Sequence, residues 1–228
     1  MNLLFDLDGT LTDPFLGITR CIAYALDALG RPAPFPENLR WCIGPPLQKS
    51  FAELLGPNDD QLEKTALEKY RERFGSIGLF ENEIYPGIVE TLRALKDCGY
   101  TLFVATAKPT VYAERIAIHF GLNDYFNRIY GSELDGTHSD KTSLISHILK
   151  QEQLDPSRTM MVGDREQDMI GAKNNKIGSI GVLWGYGTKD ELLRSGARAL
   201  VHYPADMVEV INDFFQPGQC KRTFDAAV

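Results

Sequence analysis

Two aspartates, Asp6 and Asp8, stand directly behind the apolar run Leu3-Leu4-Phe5 and directly before Gly9-Thr10. In an extended chain residues i and i+2 face the same side, so both carboxylates can address one ligand while Leu7 faces the other way. Gly9 then permits a sharp turn. The pair is where chemistry is expected first, although an Asp-rich stretch ending in Gly is also an ordinary turn or a fragment of a calcium loop.

Further polar residues recur just past other apolar runs. Thr106, Ala107 and Lys108 follow Thr101 to Val104, and Gly163, Asp164 and then Asp168 follow Thr159 to Val162. Lys141, in Ser139-Asp140-Lys141-Thr142, opens a helical pattern. Singly, each has a plain structural role: Thr106 as a helix cap before Pro109, Lys141 as a solvated charge, Gly163-Asp164 as a turn. Jointly they are harder to dismiss. In open α/β sheets ligands bind outside the carboxyl ends of the strands, so residues in these positions are expected to converge.

The elements that must bring them together are legible as short apolar runs: Leu3 to Leu7, Thr101 to Thr106, Arg128 to Gly131, Thr159 to Gly163, Ser179 to Leu183 and Leu200 to His202. Such runs read as strands buried on both faces of a mostly parallel sheet. Helical patterns lie between them. Ile88, Val89, Leu92 and Leu95 are bracketed by Pro86-Gly87 and Gly99, while Pro109 opens a stretch with Val111, Ile116 and Phe120 that ends at Gly121. The alternation predicts an α/β doubly wound sheet, a Rossmann-like core.

After the first strand, about 70 residues pass without a convincing strand, far more than an ordinary βα loop. An inserted all-α subdomain is expected there. Gly17 to Gly30 carries Ile18, Ile22, Ala25, Leu26 and Leu29 at helical spacing, and Gln61 to Ile77 carries Leu62, Ala66, Tyr70, Phe74 and Ile77. Shorter helical candidates are Glu37 to Ile43 and Leu47 to Leu55. The expected division is residues 1–14 with 85–228 as the core and 15–84 as the insertion. Gln216 to Arg222 breaks helical patterning and reads as a frayed tail.

The chain has 228 residues, 43% hydrophobic and 24% charged, which is enough to bury a sizeable core. Its net charge of -7 and pI of about 5.2 argue against broad binding to nucleic-acid polymers or an anionic membrane. Any anionic substrate must meet local positive charge instead. The absence of a spanning apolar segment or a signal-like start points to a cytoplasmic protein. Cys21, Cys42, Cys98 and Cys220 form no C-x-x-C pair and read as reduced thiols. The dispersed His119, His138, His147 and His202 are given no role.

The combined set resembles the haloacid dehalogenase-like hydrolase superfamily, in particular phosphatases with a small helical cap inserted after the first strand. Asp6-Leu7-Asp8-Gly9-Thr10 matches its first motif, Thr106 the second, Lys141 the third and Gly163-Asp164-Arg165-Glu166-Gln167-Asp168 the fourth. The match covers essentially the whole chain. Ile43-Gly44-Pro45-Pro46-Leu47 is similar to a cap loop of phosphoglycolate phosphatase-like and bacterial 5'-nucleotidase-like members.

The resemblance implies a phosphomonoester hydrolase acting on a small phosphorylated metabolite, with Asp6 as nucleophile and an aspartyl-phosphate intermediate. A carboxylate at about 4 Å from a phosphate charge loses roughly 4 kcal/mol per unit pair at an effective dielectric near 20, so cations are required. The implied Mg²⁺ would be held by Asp6, the Asp8 main-chain carbonyl and Asp164, with Asp168 binding a metal-bound water or orienting Lys141. Thr106 and the Ala107 amide would hold phosphate oxygens, with Lys141 offsetting charge and Lys108 a weaker candidate for the same task. Asp8, absent from dehalogenases of the superfamily, implies a general acid and base and hence phosphoester rather than carbon–halogen chemistry. In the cap, Gly44, Pro45, Pro46, Arg40 and Lys49 are expected substrate contacts.

Three other readings stand beside this one. A sugar-phosphate mutase of the β-phosphoglucomutase type uses the same four motifs, and the Gly-Pro-Pro loop favours the phosphatase over it. A signalling receiver domain shares an acidic pair, a Thr and a Lys but needs neither the insertion nor the late Gly-Asp-x-x-x-Asp motif. A non-catalytic scaffold is disfavoured by the full set of chemical residues. Nothing in the sequence demands more than a monomer or homodimer.

Overall fold

A computed structural model describes residues 1–56 and 60–215. The expected tail at Gln216 to Arg222 lies outside the described residues. The chain opens with β1 (Asn2–Phe5) and β2 (Thr12–Asp13), then α1 (Phe15–Ala28), α2 (Leu47–Leu55), α3 (Asp60–Phe74) and β3 (Glu83–Ile84). It continues through α4 (Ile88–Asp97), β4 (Thr101–Pro109), α5 (Thr110–His119), β5 (Arg128–Ser132), α6 (Lys141–Gln151) and β6 (Thr159–Gly163). It closes with α7 (Glu166–Asn174), β7 (Gly178–Val182), α8 (Lys189–Ser195), β8 (Ala199–Val201) and α9 (Met207–Phe215).

Six strands form a parallel sheet in the order β5-β4-β1-β6-β7-β8. β1 is central, with Leu4 paired to Phe103 on one side and Met161 on the other. Its Leu3, Leu4 and Phe5 are fully buried, and they divide between the two faces. Leu4 packs with Phe103, Met161 and the α6 residues Leu144, Ile145 and Ile148. Leu3 and Phe5 pack on the opposite side with Ile88, Leu92 and Leu95 of α4 and with Met207 and Ile211 of α9. Burial of each such aliphatic side chain contributes about 1.5–3 kcal/mol, which is why apolar runs rather than alternating ones form these strands. The result is the expected doubly wound, Rossmann-like α/β core.

Between β2 and β3 the described residues form helices and their connecting loops. The two short strands pair antiparallel, Thr12 with Ile84 and Asp13 with Glu83, forming a narrow neck that the sequence pattern missed because two residues carry no periodicity. The stretch expected as a helix over Glu37 to Ile43 is a 3₁₀ helix over Pro36–Cys42. Ile18, Ile22 and Leu26 of α1 meet Leu39, Phe51, Tyr70 and Phe74 in a hydrophobic cluster continuous with that of the sheet. Aromatic packing carries this contact across: Tyr70 stacks on Phe74 at 5.1 Å between centroids, and Phe74 meets Tyr112 of α5 edge-on at 5.4 Å.

Cys21 and Cys42 are free and buried, as expected, but Cys98 is disulfide-bonded, against the reading of all four cysteines as reduced thiols. No helix among the described residues is long and apolar enough to cross a membrane.

Candidate active site

The carboxyl ends of β1, β4 and β6, adjacent in the sheet, bring the sequence-distant polar residues to one place. Asp6 follows the last residue of β1, and its backbone N–H still donates to Val162 of β6 at 2.9 Å. The Asp6 Oδ1 accepts from the Leu7 amide at 2.8 Å. Gly9, at φ +85°, turns the chain so closely beneath Asp164 that a Cβ there would overlap the carboxylate. Asp164 is fully buried and accepts from the Thr10 hydroxyl at 3.1 Å and from the Tyr186 amide at 2.8 Å.

Lys141 enters from the first turn of α6, where Asp140 caps the helix by accepting from the Ser143 amide at 2.8 Å. Its Nζ donates to the Ala105 carbonyl at 2.8 Å. The same ammonium pairs with Asp168 at 2.7 Å and Asp6 at 3.0 Å. Asp168 in turn accepts from the Arg165 amide at 3.1 Å, which fixes it at the start of α7.

Carboxylate oxygens of Asp6, Asp164 and Asp168 all lie within 4.8 Å of one another, and all three residues are buried. Burial raises Asp164 well above the usual carboxylate range, and Asp168 and Asp6 add to the rise against the pull of its two hydrogen-bond donors. In the Lys141–Asp168 pair the governing direction is that of Lys141: burial opposes its charge, but Asp168 and Asp6 outweigh this and hold it protonated. One ammonium among three carboxylates leaves net negative charge in a buried space. An oxygen-only donor set with excess negative charge is the set that hard divalent cations take.

Asp8 occupies a different microenvironment. Its Oδ2 is 2.9 Å from Lys108 Nζ, while its buried Oδ1 has no hydrogen-bond partner among the described residues. Burial pushes the Asp8 carboxyl up, Lys108 pulls the other way, and Asp6 adds to the push. Lys108 also sits 4.4 Å above the Phe74 ring of α3. It therefore partners the second aspartate, a contact that the sequence reading, which aimed it at phosphate, did not foresee.

A chamber opens over Asp6 and Asp8. Thr106, Ala107 and Lys108 line its floor, and Gly44, Pro45 and Leu47 with Tyr70, Phe74 and Tyr112 line its sides. A second cavity borders Asp6, Lys141 and Asp168 and is walled by Gly44, Lys49 and Arg165. Arg40 lines neither. It lies over the rings of Phe15 and Tyr186, 5.5 and 4.9 Å from their centroids.

Sequence reasoning missed the loop Trp184-Gly185-Tyr186-Gly187. It supplies the amide to Asp164, a Trp184 indole N–H to the Thr10 carbonyl at 3.0 Å, and a Tyr186 hydroxyl to Asp13. Its signal was present: an aromatic–Gly repeat just past β7, at the same sheet edge.

This sheet and site match a family. Residues 3–182 fit the haloacid dehalogenase-like hydrolases, so the chain belongs to that family. A Pseudomonas aeruginosa protein named 5'-nucleotidase is 48% identical over 206 residues, covering 90% of this chain and 91% of that protein. A Mycobacterium tuberculosis protein named tyrosine-protein kinase PtkA is 34% identical over 201 residues, 88% of this chain and 68% of that one. Among solved structures, one described as a predicted phosphatase from Clostridium acetobutylicum superposes with a TM-score of 0.89 at 40% identity, covering 93% and 98% of the two chains. Within this family the chain is a phosphatase.

Proposed function

We propose that the protein is a cytoplasmic, Mg²⁺-dependent phosphomonoester hydrolase that works through an aspartyl-phosphate on Asp6, with nucleoside 5'-monophosphates as its leading substrates. The observation that carries the substrate class is the chamber beside Asp6, whose largely apolar lining of Leu47, Tyr70, Phe74 and Tyr112 suits a bulky leaving group. Phosphoglycolate, small and carrying a carboxylate besides its phosphate, would leave that wall unfilled. The 48% identical relative named 5'-nucleotidase supports the same choice.

In this reading residues 15–84 are a cap body over a core of residues 1–14 and 85–228. Asp6, the Asp8 carbonyl and Asp164 would hold Mg²⁺, with Asp168 behind them. When bound, the ion supplies charge neutralisation between the nucleophile and the phosphate oxygens. An Asp6 carboxylate oxygen attacks phosphorus and the bond to the leaving oxygen breaks. Asp8 gives its proton to that oxygen, a role its burial favours by keeping the carboxyl protonated further toward neutrality. Asp8 then takes a proton from water, which attacks the phosphorus of the acyl phosphate and releases phosphate and free Asp6. Thr106 and the Ala107 amide hold phosphate oxygens, and Lys141 keeps Asp6 and Asp168 from repelling the approaching anion.

The test is phosphate release, with and without Mg²⁺, from purine and pyrimidine 5'-monophosphates, 2-phosphoglycolate and hexose phosphates, with Asp6→Asn as control. Preference for nucleotides supports the proposal, and preference for phosphoglycolate replaces its substrate. Stoichiometric phosphate without any protein acceptor separates hydrolysis from phosphoryl transfer. No difference between wild type and Asp6→Asn overturns the mechanism.

A further inference from the structure

Arg165 follows Asp164 directly, yet its side chain points away from the carboxylates toward the helical insertion. Its Nη1 donates to the Ile43 carbonyl at 2.6 Å, and its Nε donates to Glu191 Oε1 at 3.0 Å. The side chain is 14% exposed and that of Glu191 21%, so both contacts are largely shielded from water. Glu191 is itself fixed. The same oxygen accepts from the Glu166 amide at 2.9 Å, and the residue closes the capping box of α8 with Thr188.

On the other side, Gly44 has φ +104°, and a Cβ there would meet Arg165 Cγ at 2.8 Å. Glycine at this point lets the Ile43-Gly44-Pro45-Pro46 loop seat against the guanidinium stem. Gly44 and Pro46 border both cavities, and Arg165 borders the one that contains Asp6, Lys141 and Asp168. One side chain thus joins the junction between β6 and α7, which bears Asp164 and Asp168, to the loop that walls the leaving-group chamber. Arg71 of α3 reaches the Leu134 carbonyl at 2.6 Å and Arg115 of α5 reaches the Gly75 carbonyl at 2.7 Å, so the insertion is also bridged away from this point.

We propose that Arg165 is a positioning residue that holds the Ile43 to Pro46 loop closed over the reacting carboxylates, making completion of the leaving-group chamber depend on the segment that carries Asp164 and leads into Asp168 of α7. It touches no reacting atom and acts through the loop. The kinetic half of this inference rests on the chamber being the substrate site, whereas the structural half does not.

The first measurement is therefore hydrogen exchange on the full-length protein without substrate. The amides of Ile43 and Lys49 donate to the Arg40 and Pro46 carbonyls at 3.2 and 3.0 Å and report on the loop. A charged hydrogen bond is worth about 1.5–3 kcal/mol, so Arg165→Ala should speed exchange at these two amides by roughly 10- to 100-fold. Glu191→Gln, which loosens the other anchor, should give a smaller increase. Gly44→Ala should also speed exchange, but by less in the Arg165→Ala background, where the colliding Cγ is gone. Kinetically, Arg165→Ala should raise KM for a nucleoside monophosphate about tenfold while changing kcat less.

Unchanged exchange in Arg165→Ala overturns the proposal. So does an equal Gly44→Ala effect in both backgrounds, because the contact would then not run through Arg165. Exchange that rises while kcat falls equally on every substrate overturns the positioning role, since Arg165 would then serve only the Asp164 loop. If the chain proves to prefer another phosphoester, the exchange result still stands or falls by itself.

Discussion

Lys141→Ala removes the ammonium that lies 2.7 Å from Asp168 and 3.0 Å from Asp6 and leaves three buried carboxylates facing one another. At about 3 Å and an effective dielectric near 20, each lost pair is roughly 5 kcal/mol of gross attraction. Most of that is offset in the wild type by the several kcal/mol that each buried ion loses on leaving water. Removing one partner is different, because the stranded charges keep their desolvation cost, and the net loss is about 3–5 kcal/mol. For a chain of this size 1 kcal/mol corresponds to about 2–4 °C, so Tm should fall by roughly 10 °C in chelator at neutral pH.

Thermal melts followed by circular dichroism measure the shift. Burial, opposed by Lys141 and reinforced by Asp6, raises Asp168 to about 6. Without Lys141 to pull it down, Asp168 should titrate above its wild-type position, so the deficit of Lys141→Ala should already shrink as pH falls toward that value, because protonation relieves the stranded carboxylates. Lys141 itself is raised above its ordinary range, so its contribution is fully present below about pH 10 and is lost only above it. Added Mg²⁺ should also reduce the deficit, by supplying positive charge to the same oxygens. A fall in Tm below about 3 °C in chelator would refute the reasoning, because it would mean that Asp6 and Asp168 are not held together by this lysine.

Asp8→Asn should slow hydrolysis of alkyl phosphates by about 10²- to 10⁴-fold and slow the first step on nitrophenyl phosphate less, since that leaving group hardly needs a proton; equal losses, with phosphorylation of Asp6 rate-limiting, count against Asp8 as the acid. Burial with Asp168 and Asp6 raises Asp164, so protons should compete with Mg²⁺ there, and the half-saturating Mg²⁺ concentration should rise as pH is lowered below neutrality, read by activity titrations at fixed pH. Gly9→Ala places a Cβ against the Asp164 carboxylate at a φ of +85°, which adds about 1–2 kcal/mol of backbone strain to the overlap. Its Mg²⁺ affinity by calorimetry should drop at least tenfold, and affinity equal to wild type would show that the carboxylate has room to move.

The fold was largely legible because parallel strands buried on both faces leave continuous apolar runs, and β6 begins and ends where its run does, at Thr159 and Gly163. The strand-end residues were legible for the same reason: topology fixes which ends meet, and Asp6, Asp164, Asp168 and Lys141 do meet. Contacts set by rotamers across long separations were not. Lys108 turns to Asp8 and Phe74, and Arg165 turns from its carboxylate neighbours to Ile43. Arg40, expected at the substrate, is held over Phe15 and Tyr186 instead. β4 runs on to Pro109, past the point where its apolar pattern stops, because after a register shift beyond Ala105 it meets β5 again at Ser132.

Phosphorylation of Asp6 is tested most directly by rapid acid quench of the wild-type protein mixed with Mg²⁺ and a 5'-[³²P]-labelled nucleoside monophosphate, followed by peptide mapping. Protein-bound label that hydroxylamine releases, mapped to Asp6 and absent from Asp6→Asn, is the expected result. Phosphate production at an undiminished rate by Asp6→Asn, or label on another residue, would contradict it.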